Sequence, residues 1–299
     1  MNDFGTLRSQ ERLGTSGCGV VYLAFGPPYL ILAYNSIASL KAVSPEIPVC
    51  VVVDKKTSAL VRTPPDGWSS EDDFLVVDEC VEKNRYIKTS LNQHSPFDRT
   101  LFLDADTVVT DDISEIFSYL ENFDLCIRLY GAGSKKGVTR SEMPLLDGRY
   151  KVLDLPHWNS GVIAFKKCEA VDAFFSSWNA AYDIHRREMQ VWTDQGALVE
   201  AIFRTKARVL SLDSRWNCLT SERAYFVNPD NRVIHNCYFK WSDRLQFKKL
   251  LKSKFDRLDA SQKAQVRRFL HSQERKRRRK FISMLRLAGS GYVSRKDWV

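Results

Sequence analysis

The sequence predicts an α/β fold with a mixed, mostly parallel sheet flanked by helices, followed by a basic helical C-terminal tail. Three observations support this fold class. Short apolar runs alternate with segments of helical spacing, and the first strand, helix and strand follow one another within about 35 residues, as in a βαβ unit. Several strand-like runs end at an acid or a glycine. The positive charge is concentrated in the last 53 residues.

The first βαβ unit is the clearest. Residues 20–25 are apolar and begin with β-branched side chains, which predicts a buried strand. Gly26-Pro27-Pro28 ends that strand, and residues 29–43 carry apolar side chains at helical spacing. Residues 48–54 form a second strand that closes on Asp54.

The same alternation continues along the chain. Further predicted strands cover residues 74–77, 100–103, 125–129, 161–165, 208–212 and 232–234. Further predicted helices cover residues 84–92, 112–120, 170–184 and 194–203. Residues 130–158 are irregular and contain several glycines, and a segment of this length inside a compact domain is usually functional or mobile.

The charge distribution separates the chain into parts. Residues 247–299 contain 17 Lys or Arg and 4 Asp or Glu, a balance of +13. The first 246 residues contain 28 against 32, a balance of −4, so the net charge of +9 belongs to the tail and does not indicate a nucleic-acid-binding body. We expect a loose leader over residues 1–19, a folded domain over 20–246 and a basic helical tail over 247–299.

The cysteines and the apolar runs indicate where the protein works. The seven cysteines include no CxxC pair, which argues against a zinc ribbon, and several lie in apolar runs where a free thiol packs as a small hydrophobe. This favours a reducing compartment. The first 19 residues are polar and charged, and no run of about 18 apolar residues occurs. We therefore expect a cytoplasmic protein without a membrane span.

The tail contains an unbroken basic run, residues 275–280, next to apolar residues 281–287 at helical spacing. This pattern is typical of a helix that lies on a membrane surface. We expect reversible attachment to an anionic surface at the inner face of the membrane. A solvated helix face, adhesion to RNA and a nuclear address are the alternatives.

Asp104-Ala105-Asp106 directly follows the predicted strand 100–103. Alternate residues of an extended chain point to one side, so the two carboxylates can converge on one hard cation such as Mg²⁺ or Mn²⁺. Such an ion keeps open positions that a diphosphate can fill. Two solvated acids at a strand end are the alternative interpretation.

The wider segment, residues 95–109, resembles the DxD segment of retaining glycosyltransferases of the GT-A fold. The nearest likeness is family 8, the group that contains glycogenin and the bacterial lipopolysaccharide galactosyl- and glucosyltransferases. Four further segments resemble that group in the same order: Trp158-Asn159-Ser160-Gly161-Val162, Thr193-Asp194-Gln195-Gly196-Ala197-Leu198, Arg215-Trp216-Asn217-Cys218, and Val233-Ile234-His235 with Lys240-Trp241. The resemblance spans residues 20–241 and implies a GT-A-type, Rossmann-like domain.

The resemblance also implies a function and a site. The function is metal-dependent transfer of a sugar, with retention, from a nucleotide diphosphate sugar (a UDP-sugar) to a saccharide, lipid-linked or protein acceptor. The implied ligands of Mn²⁺ or Mg²⁺ are Asp104, Asp106 and His235. The implied nucleotide-binding residues are Leu23, Ala24, Phe25, Lys88, Asp104 and Lys240, and the implied catalytic residues are Asn159, Asp194 and Gln195.

Other interpretations remain open at this stage. Residues 104–108 also fit the motif of haloacid-dehalogenase-type phosphatases, in which the first Asp is a nucleophile and the second a general acid–base. A non-catalytic module that binds sugar nucleotides is a third function. Asp194 is also suited to cap the following helix, residues 23–25 to be ordinary strand core, and Asp54 is a weaker nucleotide candidate.

Overall fold

The computed structural model describes residues 17–61, 67–69, 72–77, 84–132, 156–219 and 230–235. The chain divides into two units, Met1–Cys237 and Tyr238–Val299, and the described residues all lie in the first. Lys240, the predicted tail and residues 1–16 of the predicted leader therefore lie outside the described residues.

The described residues form ten strands, seven α-helices and one 3₁₀-helix. In chain order the elements are β1 (Cys18–Leu23), α1 (Pro27–Val43), β2 (Val49–Asp54), α2 (Lys55–Ser58), β3 (Asp73–Val77), α3 (Asn84–Lys88), α4 (Leu91–His94), β4 (Arg99–Leu103), β5 (Val108–Val109), α5 (Glu115–Tyr119), β6 (Leu125–Ala132), β7 (Pro156–Lys166), α6 (Glu169–Met189), α7 (Gln195–Arg204), β8 (Val209–Leu212), the 3₁₀-helix (Ser214–Trp216), β9 (Cys218–Leu219) and β10 (Val233–His235).

Seven strands form one large sheet in the order β3-β2-β1-β4-β7-β6-β8. The strands β3, β2, β1 and β4 pair in parallel, β7 is antiparallel to both β4 and β6, and β8 is parallel to β6. β7 is thus the one reversed strand of this sheet. A second sheet has the order β5-β10-β9. The predicted fold class, a mixed and mostly parallel sheet flanked by helices, is confirmed.

The core explains why the sequence adopts these elements. All six residues of β2 are buried, which accounts for its unbroken apolar run because a strand covered on both faces needs no polar side. Helix α6 presents Phe174, Phe175 and Trp178 to the sheet, and the Phe175 ring lies 5.0 Å from that of Phe165 in β7. Gln190, with φ of 57°, ends α6 in the left-handed region.

Several element boundaries differ from the prediction for local reasons. The single helix predicted over residues 84–92 is two short helices, because the hydroxyls of Thr89 and Ser90 donate to the carbonyl of Tyr86 (2.9 and 3.0 Å) and compete with the helix ladder. Helix α5 starts three residues later than predicted, because the Asp112 carboxylate accepts from the backbone N–H of Ser114 (3.0 Å) in a turn.

The strand boundaries also shift. β1 begins at Cys18, so the first strand takes the last two residues assigned to the leader. β7 begins at Pro156, five residues earlier than predicted, because it pairs along most of β6. Among the described residues, no helix combines the length and apolar character needed to cross a membrane. The described cysteines are free thiols, and the expected compartment stays a prediction.

Candidate active site

Asp104 and Asp106, here called the acidic pair, follow β4 at the carboxyl edge of the large sheet. The backbone N–H of Asp104 donates to the carbonyl of Gly161 (2.8 Å), which extends the β4–β7 pairing by one residue. The Thr107 hydroxyl donates to the carbonyl of Asp104 (2.9 Å) and lies 2.7 Å from the Ser36 hydroxyl in α1. The turn that carries the acidic pair is therefore held by both β7 and α1.

His235 is brought to the acidic pair by the small sheet. β10 pairs antiparallel with β5, the strand that directly follows the acidic pair. Nε2 of His235 lies 3.5 Å from Oδ2 of Asp104 and 3.4 Å from Oδ1 of Asp106. One ligand atom from each of the three side chains lies within 4.8 Å of the other two. Three residues that are distant in sequence are thus gathered at one point.

Gly161 leaves the space that the imidazole of His235 occupies. A Cβ atom at position 161 would lie 2.0 Å from Cε1 and 2.4 Å from Nδ1 of that ring. The glycines with positive φ among the described residues are Gly17, Gly26 and Gly67, so Gly161 is not required by an unusual backbone conformation. The close approach of the ring explains why this strand position is a glycine.

Lys88 and Asp194 surround the acidic pair with further charge. Nζ of Lys88 lies 2.9 and 3.1 Å from the two carboxylate oxygens of Asp104 and 3.8 Å from Oδ2 of Asp194. Oδ2 of Asp194 also accepts a hydrogen bond from the Ser160 hydroxyl (2.9 Å). With a neutral His235, the three carboxylates of Asp104, Asp106 and Asp194 and one ammonium leave a formal charge of −2.

Burial and neighbouring charges shift the pKa values of these groups in opposite directions. Burial works to lower the pKa of His235, but the carboxylates of Asp106 and Asp104 raise it above its ordinary value. Burial works to raise the pKa of Asp106, but the neighbouring imidazole brings it below the usual range. The pKa of Lys88 is raised because Asp104 and Asp194 outweigh the effect of burial. Lys88 is therefore charged at neutral pH.

Two buried amide side chains connect β7 with His235. Oδ1 of Asn159 accepts from the backbone N–H of Gly161 (2.9 Å) and from Nδ2 of Asn217 (2.8 Å). Oδ1 of Asn217 lies 2.8 Å from Nδ1 of His235. Sequence reasoning gave Asn217 no role, although it stands in the Arg215-Trp216-Asn217-Cys218 segment that signals this part of the site.

The donor set of Asp104, Asp106 and His235 fits a divalent cation. Carboxylate oxygen and neutral imidazole nitrogen are ligands that Mn²⁺ accepts, and the carboxylates also suit Mg²⁺. Ligand atoms at 2.0–2.1 Å from one octahedral ion lie about 3 Å apart when adjacent and about 4 Å when opposite. The observed separations, from 3.4 Å to at most 4.8 Å, are close to these values. The formal charge of −2 is that which a divalent ion neutralises.

Of the predicted catalytic residues, Asp194 and Asn159 are joined to this set through Lys88 and through Gly161 and Asn217, respectively. Asp194 stands at the N-cap position of α7, but its side chain makes no capping hydrogen bond and accepts from Ser160 instead. The Asp194 side chain therefore does not cap α7, contrary to the alternative interpretation of this residue. Gln195 is the first residue of α7 and is half-buried, and Asn159 is buried in β7.

The predicted nucleotide-binding residues are more dispersed. Lys88 contacts Asp104, as described above. Ala24 and Phe25 lie just beyond the end of β1 at Leu23, so the predicted strand 20–25 ends two residues early; both are buried, and Phe25 belongs to the main apolar core. Leu23 keeps partial exposure. Asp54 is occupied structurally, since it caps α2 by accepting from the Thr57 N–H (2.7 Å). Contact of residues 23–25 with a base stays a prediction.

Sequence reasoning also missed Tyr29, in the first turn of α1. Its side chain is 38% exposed. Burial is the main cause that raises the pKa of the Tyr29 phenol; the charge of Arg85 lowers it, and the charges of Asp106 and Asp104 raise it further.

No protein-family model matches the chain, and no curated protein matches it. Solved structures do. The chain is similar to the galactosyltransferase LgtC, including its complex with donor and acceptor sugar analogs, at 17% identity and TM-scores of 0.54 and 0.55, over 80% of this chain and 96% of LgtC. It is similar to mouse xyloside xylosyltransferase 1, apo form, at 13% identity and a TM-score of 0.51, over 75% and 98% of the two chains. These likenesses establish that the domain has the GT-A-type α/β fold of its glycosyltransferase neighbours.

Proposed function

We propose that this protein is a metal-dependent glycosyltransferase that moves a sugar from a UDP-sugar to a saccharide, lipid-linked or protein acceptor, with retention at the anomeric carbon. The observation that carries the proposal is the convergence of Asp104, Asp106 and His235 at the carboxyl edge of β4, where open α/β sheets bind ligands. The fold shared with LgtC, solved with donor and acceptor sugar analogs, supports the same reaction class.

In the proposed reaction, the bond between the anomeric carbon and the diphosphate oxygen breaks, and a bond to the acceptor oxygen forms. The acceptor proton passes to the leaving phosphate. Asp104, Asp106 and His235 would hold a Mn²⁺ or Mg²⁺ ion, which would supply positive charge for the leaving diphosphate. Lys88, charged and hydrogen-bonded to Asp104, adds a second positive charge beside the same group and keeps that carboxylate oriented.

Asp194, Gln195 and Asn159 are proposed to border the transferred sugar. A carboxylate at this position stabilises the positive charge that develops at the anomeric carbon in an oxocarbenium-like state. The hydrogen bond from Ser160 fixes the orientation of Asp194. Oδ1 of Asn159 already accepts two hydrogen bonds, so its Nδ2 is the group suited to donate to a sugar hydroxyl.

Calorimetric titration with UDP, with GDP as the comparison ligand, tests the proposal. We expect UDP binding that requires Mn²⁺ and that is abolished by Asp106→Ala. Asp111→Ala is the matched control, because Asp111 is a nearby exposed acid whose carboxylate bonds only locally to the N–H of Asp112 (2.8 Å) among the hydrogen bonds described. Absence of binding by either nucleotide, with metal present, contradicts the proposal. If UDP binds, the next experiment is a screen of UDP-sugars for hydrolysis by the protein.

Activity assays beside the nucleotide titration separate the alternatives. A haloacid-dehalogenase-type phosphatase would use Asp104 as its nucleophile, but Lys88 donates to both oxygens of that carboxylate, which weakens it as a nucleophile. Hydrolysis of a generic phosphoester that is lost in Asp104→Asn would favour the phosphatase. Metal-dependent UDP binding without turnover of any sugar donor would favour a binding module.

The basic tail leads to a proposal from the sequence alone. Each cation near an anionic leaflet contributes about 1 kcal/mol, so the six basic residues at 275–280 are sufficient for reversible attachment to the cytoplasmic face of a membrane. Co-sedimentation of the full chain with phosphatidylserine-containing vesicles tests this. We expect binding that is lost when the six residues are changed to glutamine and that is absent with pure phosphatidylcholine.

A further inference from the structure

We infer that Asn217 is a positioning residue that fixes the ring proton of His235 on Nδ1 and thereby directs the Nε2 lone pair at the acidic pair. The inference rests on the proposed metal site and deepens it. It follows from a continuous series of hydrogen bonds in which the identity of each donor is determined by the preceding one.

The series starts at a group whose role is unambiguous. The backbone N–H of Gly161 can only donate, and it lies 2.9 Å from the side chain of Asn159. The atom of Asn159 that faces it is therefore the amide oxygen. The N–H of a strand residue thus fixes which way this buried amide is turned.

Asn159 determines the orientation of Asn217 in turn. Its oxygen faces the Asn217 side chain at 2.8 Å, and an oxygen can only accept, so Asn217 must present its NH₂ group there. The oxygen of Asn217 consequently points in the other direction, to Nδ1 of His235 at 2.8 Å.

The last step concerns the ring. Because the oxygen of Asn217 accepts and cannot donate, Nδ1 of His235 carries the proton. In a neutral imidazole the other nitrogen then has the free lone pair, and this nitrogen, Nε2, is the one that lies 3.4 and 3.5 Å from the acidic pair. Metal-ligating histidines generally donate their second ring N–H to a protein oxygen in this way.

The surroundings leave little freedom to this arrangement. Asn217 is fully buried, His235 is 4% exposed and Asn159 is 7% exposed, so solvent has little access to replace a lost bond. The backbone of Asn217 is held as well, since Arg128 donates to its carbonyl oxygen and its own N–H reaches the carbonyl of Ser214 (3.4 Å).

Titration with Mn²⁺, followed by the EPR signal of the free ion, tests the inference on the full chain with and without UDP. We expect Asn217→Leu to weaken Mn²⁺ binding about 10- to 100-fold, the usual effect of removing a group that supports a metal ligand. Asn217→Asp keeps an acceptor for Nδ1, so we expect it to bind Mn²⁺ more tightly than Asn217→Leu does. Asn179→Leu is the matched control, because the Asn179 amide also donates to another side chain, the Thr89 hydroxyl (2.8 Å), but makes none of the described hydrogen bonds to Asp104, Asp106 or His235, and it should bind as the wild type does.

A spectroscopic measurement separates this role from simple packing. With ¹⁵N-labelled histidine and saturating Mg²⁺, we expect the His235 signal, assigned by its absence in His235→Gln, to show a protonated Nδ1 in the wild type. An Nδ1 without a proton would overturn the inference. This measurement uses the wild type, so it decides the matter even if Asn217→Leu does not fold.

The outcomes distinguish the inference from the proposed function. If the wild type binds Mn²⁺, Asp106→Ala does not, and Asn217→Leu binds within threefold of the wild type, the metal site stands and the role of Asn217 is refuted. If the wild type binds no Mn²⁺ with or without UDP, the proposed metal site itself is refuted, and the inference with it.

Discussion

Replacing Gly161 by alanine tests the position of His235 from the side of the ring that faces β7. The added methyl group would lie 2.0, 2.4 and 2.8 Å from three ring atoms of His235. Ordinary contact begins at 3.4 Å, so the closest ring atom must withdraw by 3.4 − 2.0 = 1.4 Å, or β7 must move by a similar distance. β7 is fixed between β4 and β6, so we expect the ring to move.

A displacement of 1.4 Å is large for a metal ligand. Metal–ligand distances hold to within about 0.2 Å, so His235 would no longer coordinate with the acidic pair. Loss of a supporting group alone costs 10- to 100-fold in affinity, and we therefore expect Gly161→Ala to weaken Mn²⁺ binding by about 100-fold or more. Overpacking at this buried site should also lower the free energy of unfolding by about 1–3 kcal/mol.

The assay combines Mn²⁺ titration by EPR with chemical denaturation. Gly19→Ala in β1 is the matched control, because its Cβ would lie 2.4–2.5 Å from the Phe97 ring, a comparable clash with an aromatic side chain. We expect the control to lose similar stability and to keep its Mn²⁺ affinity. The reasoning is refuted if Gly161→Ala binds Mn²⁺ like the wild type while Asp106→Ala does not bind it.

Three further predictions concern charge. Mn²⁺ affinity should fall as the pH is lowered, because a proton on His235 competes with the metal. Since the pKa of His235 is raised, this fall should begin at a pH above the usual titration range of a histidine. Calorimetry from pH 8.5 to 5.5 tests this, and an affinity independent of pH would contradict it. Lys88→Met should slow sugar transfer by about 10²–10³-fold. It should not weaken Mn²⁺ binding in the absence of nucleotide, since the ammonium and the metal share the carboxylate of Asp104. An equal loss of sugar transfer and of Mn²⁺ binding would show that Lys88 acts only through folding. Asp124→Asn should destabilise the fold by about 1.5–3 kcal/mol at pH 7, because Arg208 donates to both oxygens of this carboxylate (2.8 and 3.2 Å) and holds its pKa well below the usual range. Because the pKa of Asp124 is depressed in the folded state, the difference in free energy of unfolding between the wild type and Asp124→Asn should be complete at neutral pH and should shrink below about pH 4. Chemical denaturation at pH 7 and below about pH 4 measures this difference, and a difference that does not change with pH would contradict the assignment.

The parts of the fold that the sequence predicted are those with local signals. The unbroken apolar run of β2 and the Gly26-Pro27-Pro28 turn specify the first βαβ unit without help from distant residues. The boundaries that the sequence misplaced depend on single side chains that compete for backbone groups. The hydroxyls of Thr89 and Ser90 end α3 by bonds that apolar spacing does not reveal.

The site likewise contains residues that a local sequence pattern indicates and residues that are brought together only by contacts between distant parts of the chain. The acidic pair is visible as two carboxylates two residues apart at the end of a strand. His235 lies 129 residues beyond Asp106, and the pairing of β5 with β10 that unites them is too short to predict from propensity, so only the family resemblance indicated it. The bond between Asn159 and Asn217 spans 58 residues, and two asparagines carry no pattern that predicts their contact.

The reversed direction of β7 has a consequence for how this protein can change in evolution. The register of β7 against β4 is set by five consecutive pairs between Arg99–Leu103 and residues 162–166, all on the C-terminal side of Gly161. Residues 133–155 precede β7 in the sequence. Because the five pairs lie beyond Asn159, Ser160 and Gly161, we expect a change in the length of residues 133–155 to leave the register of β7 against β4 beside the acidic pair unchanged.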